Sequence, residues 1–193
     1  MKTTGISIGT KILAVALTGI VVLGGLTSFL AVQDVRRQAE EALVSESRAL
    51  ILTAEAVRNE MARKIDDGVL LPFDELLASQ DEQTVLGAVP VITAIRVLAE
   101  NAETSGYEFR VPKIEPRNPE NTPTELEAGV LQQLKETDQD EVVIYEADQV
   151  RFFRPIRLTP DCLICHGEPA GSVDPVGGVR EGWKAGEVHG AFE

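Results

Sequence analysis

A run of apolar residues near the start of the chain constrains its fold most. Residues 12–32 contain no charged side chain and are rich in Leu, Val, Ile and Ala. As a helix this run would be about 30 Å long, which matches the hydrocarbon core of a bilayer. A cleaved signal peptide is the alternative, but the run is long and no A-x-A-like cleavage site follows it. We therefore predict a membrane anchor at residues 12–32, between an N-terminal segment at residues 1–11 and a domain at residues 33–193.

Charge restricts the partners of that domain but does not orient the anchor. The 193-residue chain has a formal net charge of −13 at pH 7, which disfavours nucleic acid and anionic lipid headgroups as partners. Lys2 and Lys11 precede the apolar run, and Arg36 and Arg37 follow it. Because the positive charges on its two sides nearly balance, other features have to decide the topology.

A long helix is predicted directly after the anchor. Residues 34–67 lack Pro and Gly and are rich in Ala, Glu, Arg and Leu, and Gly68 and Pro72 mark the end of this stretch. Apolar residues recur in it at spacings of three, four or seven, which predicts one buried stripe. The stripe consists of Leu43, Leu50, Ala54, Val57, Met61 and Ile65.

Two further helical regions follow. Residues 73–103 predict a second helical stretch, broken near residues 79–83 and again near Gly87 and Pro90. A third helix is predicted after a loop rich in Pro and Asn. Its start is marked by Thr122 as N-cap, Pro123 at the first helical position and Glu125 three residues after the threonine, an arrangement typical of a capping box.

Four short segments are predicted as strands. The first is residues 107–111, and the last is residues 187–192. Between them, residues 141–147 and 150–158 are rich in β-forming residues and are separated by Asp148 and Gln149, which predicts a hairpin. The order of elements indicates an α+β fold with an antiparallel sheet and helices on one side of it.

The motif that carries chemistry is C-x-x-C-H at residues 162–166. Two thiols at this spacing can form thioethers with the two vinyl groups of one haem, and the histidine that follows is then held beneath the iron. The motif therefore predicts one covalent haem c, attached through Cys162 and Cys165, with His166 as the proximal iron ligand.

Two other interpretations of the motif fit less well. A thioredoxin-type C-x-x-C lies between a strand and a helix of a βαβ unit, which the predicted elements do not contain. A zinc site needs two more ligands, and the other histidine, His189, is distant in sequence. Haem is joined to cysteine outside the bacterial cytoplasm. The haem prediction thus makes the chain a single-pass inner-membrane protein, with residues 1–11 in the cytoplasm and residues 33–193 in the periplasm.

Other haem contacts are predicted less directly. A cytochrome places Met, a second His, water or an open site opposite the proximal ligand, so Met61 and, less favourably, His189 are candidate distal ligands. Haem propionates bind cations, and the planar guanidinium group suits a carboxylate. Arg117 and Arg154 are therefore candidate haem contacts, and Trp183 is a candidate for packing on the porphyrin.

Several stretches together resemble a known family. The combination is similar to the haem-c-binding, PAS-like periplasmic sensor domains of bacterial chemoreceptors and histidine kinases. The resemblance covers nearly all of the chain after the anchor. The matching stretches are P-x-x-T-A at 90–94, G-Y-E-F-R-V-P at 106–112, P-R-N-P-E-N at 116–121, R-P-I at 154–156, C-L-I-C-H-G at 162–167 and G-W-K-x-G at 182–186.

The resemblance implies a fold and a role. It implies a PAS-like five-stranded antiparallel sheet with flanking helices and one haem c, a homodimer in the membrane, and sensing of redox state or of a small gas. A methionine from a helix is the distal ligand in some members, which points to Met61. Members usually continue beyond the last strand into a signalling module, so the final strand is expected to be short here.

Two roles therefore remain open from the sequence. The first is a redox or gas sensor input module, and the alternative is a membrane-tethered electron-transfer cytochrome with a redox partner protein. The sequence contains no Ser/His/Asp set and no Gly-rich phosphate loop, so we do not expect an enzyme.

Overall fold

The computed structural model describes residues 7–79 and 81–193. The chain divides into two compact units, Met1–Leu43 and Val44–Glu193. Of the predicted N-terminal segment, the first six residues lie outside the described part.

A single helix, α1 (Ile8–Asp66), accounts for the described part of the first unit. It contains the predicted anchor, residues 12–32, in which every side chain is exposed. Its most apolar window of 18 residues has a mean hydropathy of 2.2. By length and composition α1 is the one helix in the described ranges that could cross a membrane. A signal sequence would pass the same test, so the anchor stays a prediction that this finding supports.

In the second unit, α1 contributes one face to the core. Val44, Ile51 and Ala54 are buried there, and they pack in one cluster with Ala94 and Leu98 of a later helix. The predicted stripe is therefore shifted by one residue at its start. Leu43 is 40% exposed, because the helix turns its neighbour Val44 inward. Both residues are apolar, so helical spacing alone did not show which of the two is buried.

Three helices follow α1 and bear out the predicted breaks in part. Helix α1 ends at Asp66, and Gly68 continues with a positive φ of 69°, which glycine adopts without strain. Residue 80, in the first predicted break, lies outside the described part. The second break falls at Pro90, where proline at the first helical position gives up no intrahelical hydrogen bond, but Gly87 lies inside a helix. These helices are α2 (Phe73–Ser79), α3 (Glu82–Ala88) and α4 (Pro90–Ser105).

The capping box of the next helix, α5 (Glu125–Thr137), lies two residues later than predicted. Thr124, not Thr122, accepts the backbone N–H of Glu127 at 3.3 Å, and the Glu127 carboxylate accepts the backbone N–H of Thr124 at 2.7 Å. The sequence T-P-T-E-L-E offers two threonines, each with a glutamate three residues later. The second pair is used because Glu127, in contrast to Glu125, is buried against arginine side chains.

The described sheet has three antiparallel strands in the order β1, β2, β3, which are Val142–Tyr145, Val150–Arg157 and Val188–Phe192. The predicted hairpin is confirmed, and its turn is closed by a 2.9 Å hydrogen bond from Glu146 to Gln149. Residues 107–111 do not form the predicted strand. Arg110 and Glu193 exchange two backbone hydrogen bonds of 3.0 Å, and Pro112 accepts the backbone N–H of Ala191 at 3.0 Å. Pro112 has no N–H to return that bond, so the pairing along this edge is incomplete and irregular.

The sheet is covered on both faces, which corrects the prediction of helices on one side. Phe152 and Ile156 of β2 face the cluster formed by α1 and α4, whereas Phe153 faces Leu131 and Leu134 of α5. Strand β2 is central and places a buried aromatic ring on each face, Phe152 on one and Phe153 on the other. The α+β class is thereby confirmed, and the PAS-like assignment with five strands stays a prediction.

Candidate functional site

The C-x-x-C-H motif lies on a compact turn directly after the central strand. A 3-10 turn, Pro160–Cys162, leads into the short helix α6 (Leu163–His166). Cys162 and Cys165 are both free and half-buried, and their spacing of three residues sets them on one side of the turn. The chain then returns to β3, antiparallel to β2. The motif is therefore not part of a βαβ unit.

Both cysteines and His166 line one cavity that is open on one side. The wall is mostly apolar and is drawn from α1 to α4, the end of β2 and the loop after the motif. The apolar lining residues are Ala62, Phe73, Leu77, Val85, Val89, Pro90, Val91, Ile156, Leu158, Ile164, Pro175 and Val176.

The His166 imidazole is held by one of its nitrogens. Its Nδ1 lies 2.9 Å from Oε2 of Glu181. Within the described ranges, His189 is the one aromatic ring that the imidazole contacts. Burial lowers the pKa of His166, although the Glu181 carboxylate acts in the opposite direction. A neutral imidazole that donates from Nδ1 keeps a lone pair on Nε2, the atom available for a metal.

Arg117 fastens the loop around the motif. Its Nε donates to Oε1 of Glu181 at 2.6 Å, and its Nη2 donates to the carbonyl oxygens of Cys165 and Val179, both at 2.8 Å. Its Nη1 pairs with the buried carboxylate of Asp174. Burial would raise the pKa of Glu181, but Arg117 and His166 outweigh it and lower that pKa. The side chain of Arg117 is therefore fully engaged by protein groups.

The close approach of Arg117 requires a glycine at position 178. A Cβ atom there would lie 2.6 Å from Nη1 of Arg117 and 2.6 Å from Oδ2 of Asp174. Any other residue would separate this ion pair.

The remaining predicted haem contacts are placed differently. Arg154 pairs with Glu55, Nε to Oε1 at 2.8 Å, and does not line the cavity. Trp183 donates its backbone N–H to the carbonyl oxygen of His166 at 2.8 Å. Its indole ring meets His189 edge-on at 5.2 Å between centroids, and its Nε1 is buried without a hydrogen-bond partner.

His189 lines the cavity beside His166. The ring centroids of the two histidines are 4.8 Å apart, with 51° between the planes. Two imidazoles on opposite sides of one metal would have their ring centroids roughly 6 Å apart. This distance is the sum of two metal–nitrogen bonds of about 2 Å each and the distance from each nitrogen to its ring centre. In this arrangement the two rings are therefore not placed on opposite sides of a shared metal. Burial lowers the pKa of His189 to about 4, and its Nδ1 has no hydrogen-bond partner.

Met61 is half-buried on α1 and is not among the residues that line the cavity. Its neighbour Ala62 does line it, as do Arg58 and Asn59. Met61 thus lies next to the side of α1 that faces the cavity, but it is not on that side.

Sequence reasoning missed two cations in the cavity wall, Lys113 and Arg58. The described ranges contain no ion pair or side-chain hydrogen bond for either one. Burial lowers the pKa of Lys113. Arg58 follows Ala54 by four residues on the buried face of α1, a spacing that could have identified it. Lys113 lies in irregular chain next to Pro112, where periodicity gives no signal.

Fold and site together define an α+β domain with a C-x-x-C-H turn at the wall of an apolar cavity. The model of the Tll0287-like family matches residues 36–193, and the chain belongs to that family. A crystal structure of the cyanobacterial heme-protein Tll0287 matches with a TM-score of 0.52 and 21% identity, over 76% of this chain and 92% of that chain. At this identity the match supports the fold. No curated protein matches the chain.

Proposed function

We propose that the domain binds one haem c covalently, through Cys162 and Cys165, with His166 as the proximal iron ligand. The observation that carries this proposal is the arrangement of the motif. Both thiols and the imidazole line one cavity, and His166 is anchored through Nδ1, which leaves Nε2 available. Support also comes from the family, since the matching solved structure is that of a heme-protein.

The lining of the cavity suits a haem in polarity. A porphyrin is a flat apolar ring with two carboxylates on one edge, and it needs an apolar cavity with cations at hand. The apolar wall meets the first need, and Lys113 and Arg58, which have no ion-pair partner among the described residues, meet the second. The buried Nδ1 of His189, which lacks a partner, is a further polar atom in the same wall. When bound, the haem supplies a one-electron couple and a site for small gas ligands.

We propose that the domain acts as a redox or small-gas sensor input module. Helix α1 includes the apolar segment at residues 12–32, and it also contributes Arg58, Asn59 and Ala62 to the cavity wall. A change in that wall therefore acts directly on the helix that includes the anchor. Met61, next to Ala62, and an external gas molecule are the two candidate distal ligands.

The setting proposed for this module follows from the sequence. The chain is anchored by residues 12–32 in a bacterial inner membrane, with the haem domain in the periplasm, and it forms a homodimer. These features suit a sensor, because a signal must pass from the periplasm to the membrane.

A second candidate function is a membrane-tethered electron carrier. Transient redox partners dock on small exposed apolar surfaces close to the haem. Ile164 within the motif is 40% exposed, and Val179, whose carbonyl oxygen is bound by Arg117, is 56% exposed. These two residues would provide such a surface beside the attachment site.

An absorption experiment separates gas sensing from redox sensing and electron transfer. The full chain, matured with haem and purified in detergent, would be reduced and then exposed to carbon monoxide. A shift of the haem spectrum indicates an open or weakly held distal position and supports gas sensing. A low-spin spectrum that does not move indicates a strong distal ligand, which leaves redox sensing and electron transfer. In that case Met61→Ala, compared with Met61→Leu, tests Met61 as that ligand.

A further inference from the structure

Glu181 is the only carboxylate whose hydrogen bond reaches the motif histidine in the described ranges, and it lies 15 residues after it in sequence. Its side chain is 17% exposed. Oε2 of Glu181 lies 2.9 Å from Nδ1 of His166 and 3.1 Å from Nη2 of Arg117, and Oε1 lies 2.6 Å from Nε of Arg117. The carboxylate is therefore fixed from two sides, and one of its oxygens is shared between the histidine and the arginine.

A carboxylate in this position affects a metal-bound imidazole in two ways. It fixes the ring orientation and the tautomer, because Nδ1 must carry the proton that is donated. It also makes the imidazole a stronger electron donor, since a partly buried negative charge pulls on that proton. A stronger donor stabilises ferric iron relative to ferrous iron. The shared contact with Arg117 limits this effect, because the guanidinium group withdraws part of the negative charge.

We infer that Glu181 is a positioning residue for His166 that holds the haem at a lower reduction potential than a neutral hydrogen-bond acceptor would, with Arg117 setting the extent of this lowering. The inference rests on the proposed function and adds to it a residue outside the C-x-x-C-H motif. Glu181 thereby helps to set the reduction potential of the haem, a property that matters both for a sensor and for an electron carrier.

A purely structural role for Glu181 is the competing explanation. Glu181 could merely hold Arg117 and so brace the loop of residues 165–181. Glu181→Gln distinguishes the two, because glutamine keeps the length of the side chain and an oxygen acceptor for Nδ1 but removes the charge. If the role of Glu181 is purely structural, Glu181→Gln should change the stability of the domain and leave the reduction potential of the haem unchanged.

The test compares the reduction potentials of the haem-loaded full chain and of two variants. Glu181→Gln should raise the potential. Where the ferrous iron is five-coordinate, it should also lower the iron–histidine stretching frequency in resonance Raman spectra. Glu187→Gln is the matched control. It removes the same charge from an exposed glutamate that accepts the backbone N–H of Lys184, and it should change neither quantity.

Each outcome decides the inference. An unchanged potential in Glu181→Gln, or equal shifts in both variants, would overturn it. If Glu181→Gln does not mature, Glu181→Asp decides: it keeps the charge but draws the carboxylate away from Nδ1 of His166, and a potential equal to that of the wild type overturns the inference as well. A wild-type chain without covalent haem overturns the proposed function together with this inference, and that result is visible before any potential is measured.

Discussion

Nη2 of Arg117 donates a hydrogen bond of 2.8 Å to the backbone carbonyl of Cys165, although the two residues are 48 positions apart in sequence. The same guanidinium group pairs with Asp174, whose side chain is fully buried, and with Glu181. One side chain from the P-R-N-P-E-N loop thus holds the second cysteine of the motif and two acidic residues of the loop that follows it.

Replacing Arg117 should therefore destabilise the domain strongly. Arg117→Met leaves the buried carboxylate of Asp174 without its cation, with the backbone N–H groups of Val176 and Gly178 as its remaining donors. This should lower the free energy of unfolding by about 3 kcal/mol. Urea denaturation of the full chain in detergent, followed by circular dichroism, measures this change. Arg96→Met is the control, since Arg96 is exposed and should cost almost nothing. Equal losses in the two variants would show that the ion pair does not support the fold.

The buried glutamate of the capping box gives a second prediction. Glu127 is 1% exposed and contacts both Arg110 and Arg151. Glu127→Gln removes the charge partner of Arg110 and one of the two partners of Arg151, which also pairs with Glu193. It should lower the free energy of unfolding by about 3 kcal/mol. Glu125→Gln changes an exposed side chain in the same helical turn and should have a small effect in the same denaturation experiment. The reverse ranking would place the capping box at Thr122, as first predicted from the sequence.

The same residue predicts a dependence of stability on pH. Burial would raise the pKa of Glu127, but the backbone N–H of Thr124 and the guanidinium group of Arg110 outweigh it and lower the pKa below its ordinary value of 4.5. A carboxylate whose pKa is lowered by folding contributes stability above its unfolded pKa and loses it as pH falls through the folded pKa. The stability difference between wild type and Glu127→Gln should therefore be full at pH 6 and shrink below about pH 4.5. A difference that is constant with pH would contradict this account.

Lys113 gives a prediction on the haem itself. It lines the cavity and has no ion-pair partner among the described residues, so we expect its charge to lie beside the anionic edge of the haem. Lys113→Met removes a cation from a poorly solvated wall and should lower the reduction potential, the opposite direction to Glu181→Gln. A spectroelectrochemical titration measures this shift. Lys184→Met alters an exposed lysine as the control, and a fall of the same size in that variant would remove Lys113 from the site.

Regular periodicity made part of the fold predictable. The hairpin of β1 and β2 followed from two β-rich runs around Asp148 and Gln149, and the second half of α1 followed from residues 34–67, which lack Pro and Gly. The capping box was misplaced because two threonines satisfy the same pattern, and only the burial of Glu127 selects one of them. Segment 107–111 was wrongly predicted as a strand from its β-rich composition, whereas of these residues Arg110 forms the backbone hydrogen-bond pair with Glu193.

The candidate site was predictable where its residues are adjacent in sequence. Cys162, Cys165 and His166 form a motif with its own chemical meaning. Glu181 and Lys113 are brought to that motif by irregular loops, whose course no spacing rule describes. Arg117 was predicted to contact haem carboxylates, but it pairs with protein carboxylates. A sequence rich in Asp and Glu does not reveal which of them an arginine selects.

The mass of the chain after maturation tests the central claim most directly. The full chain would be produced in a bacterium with an active c-type cytochrome maturation system and examined by mass spectrometry under denaturing conditions. The account predicts a mass increased by that of one haem, and predicts that this increase is lost when both Cys162 and Cys165 are replaced by serine. A chain that matures in the periplasm and shows only its polypeptide mass would contradict the claim that this domain binds haem covalently.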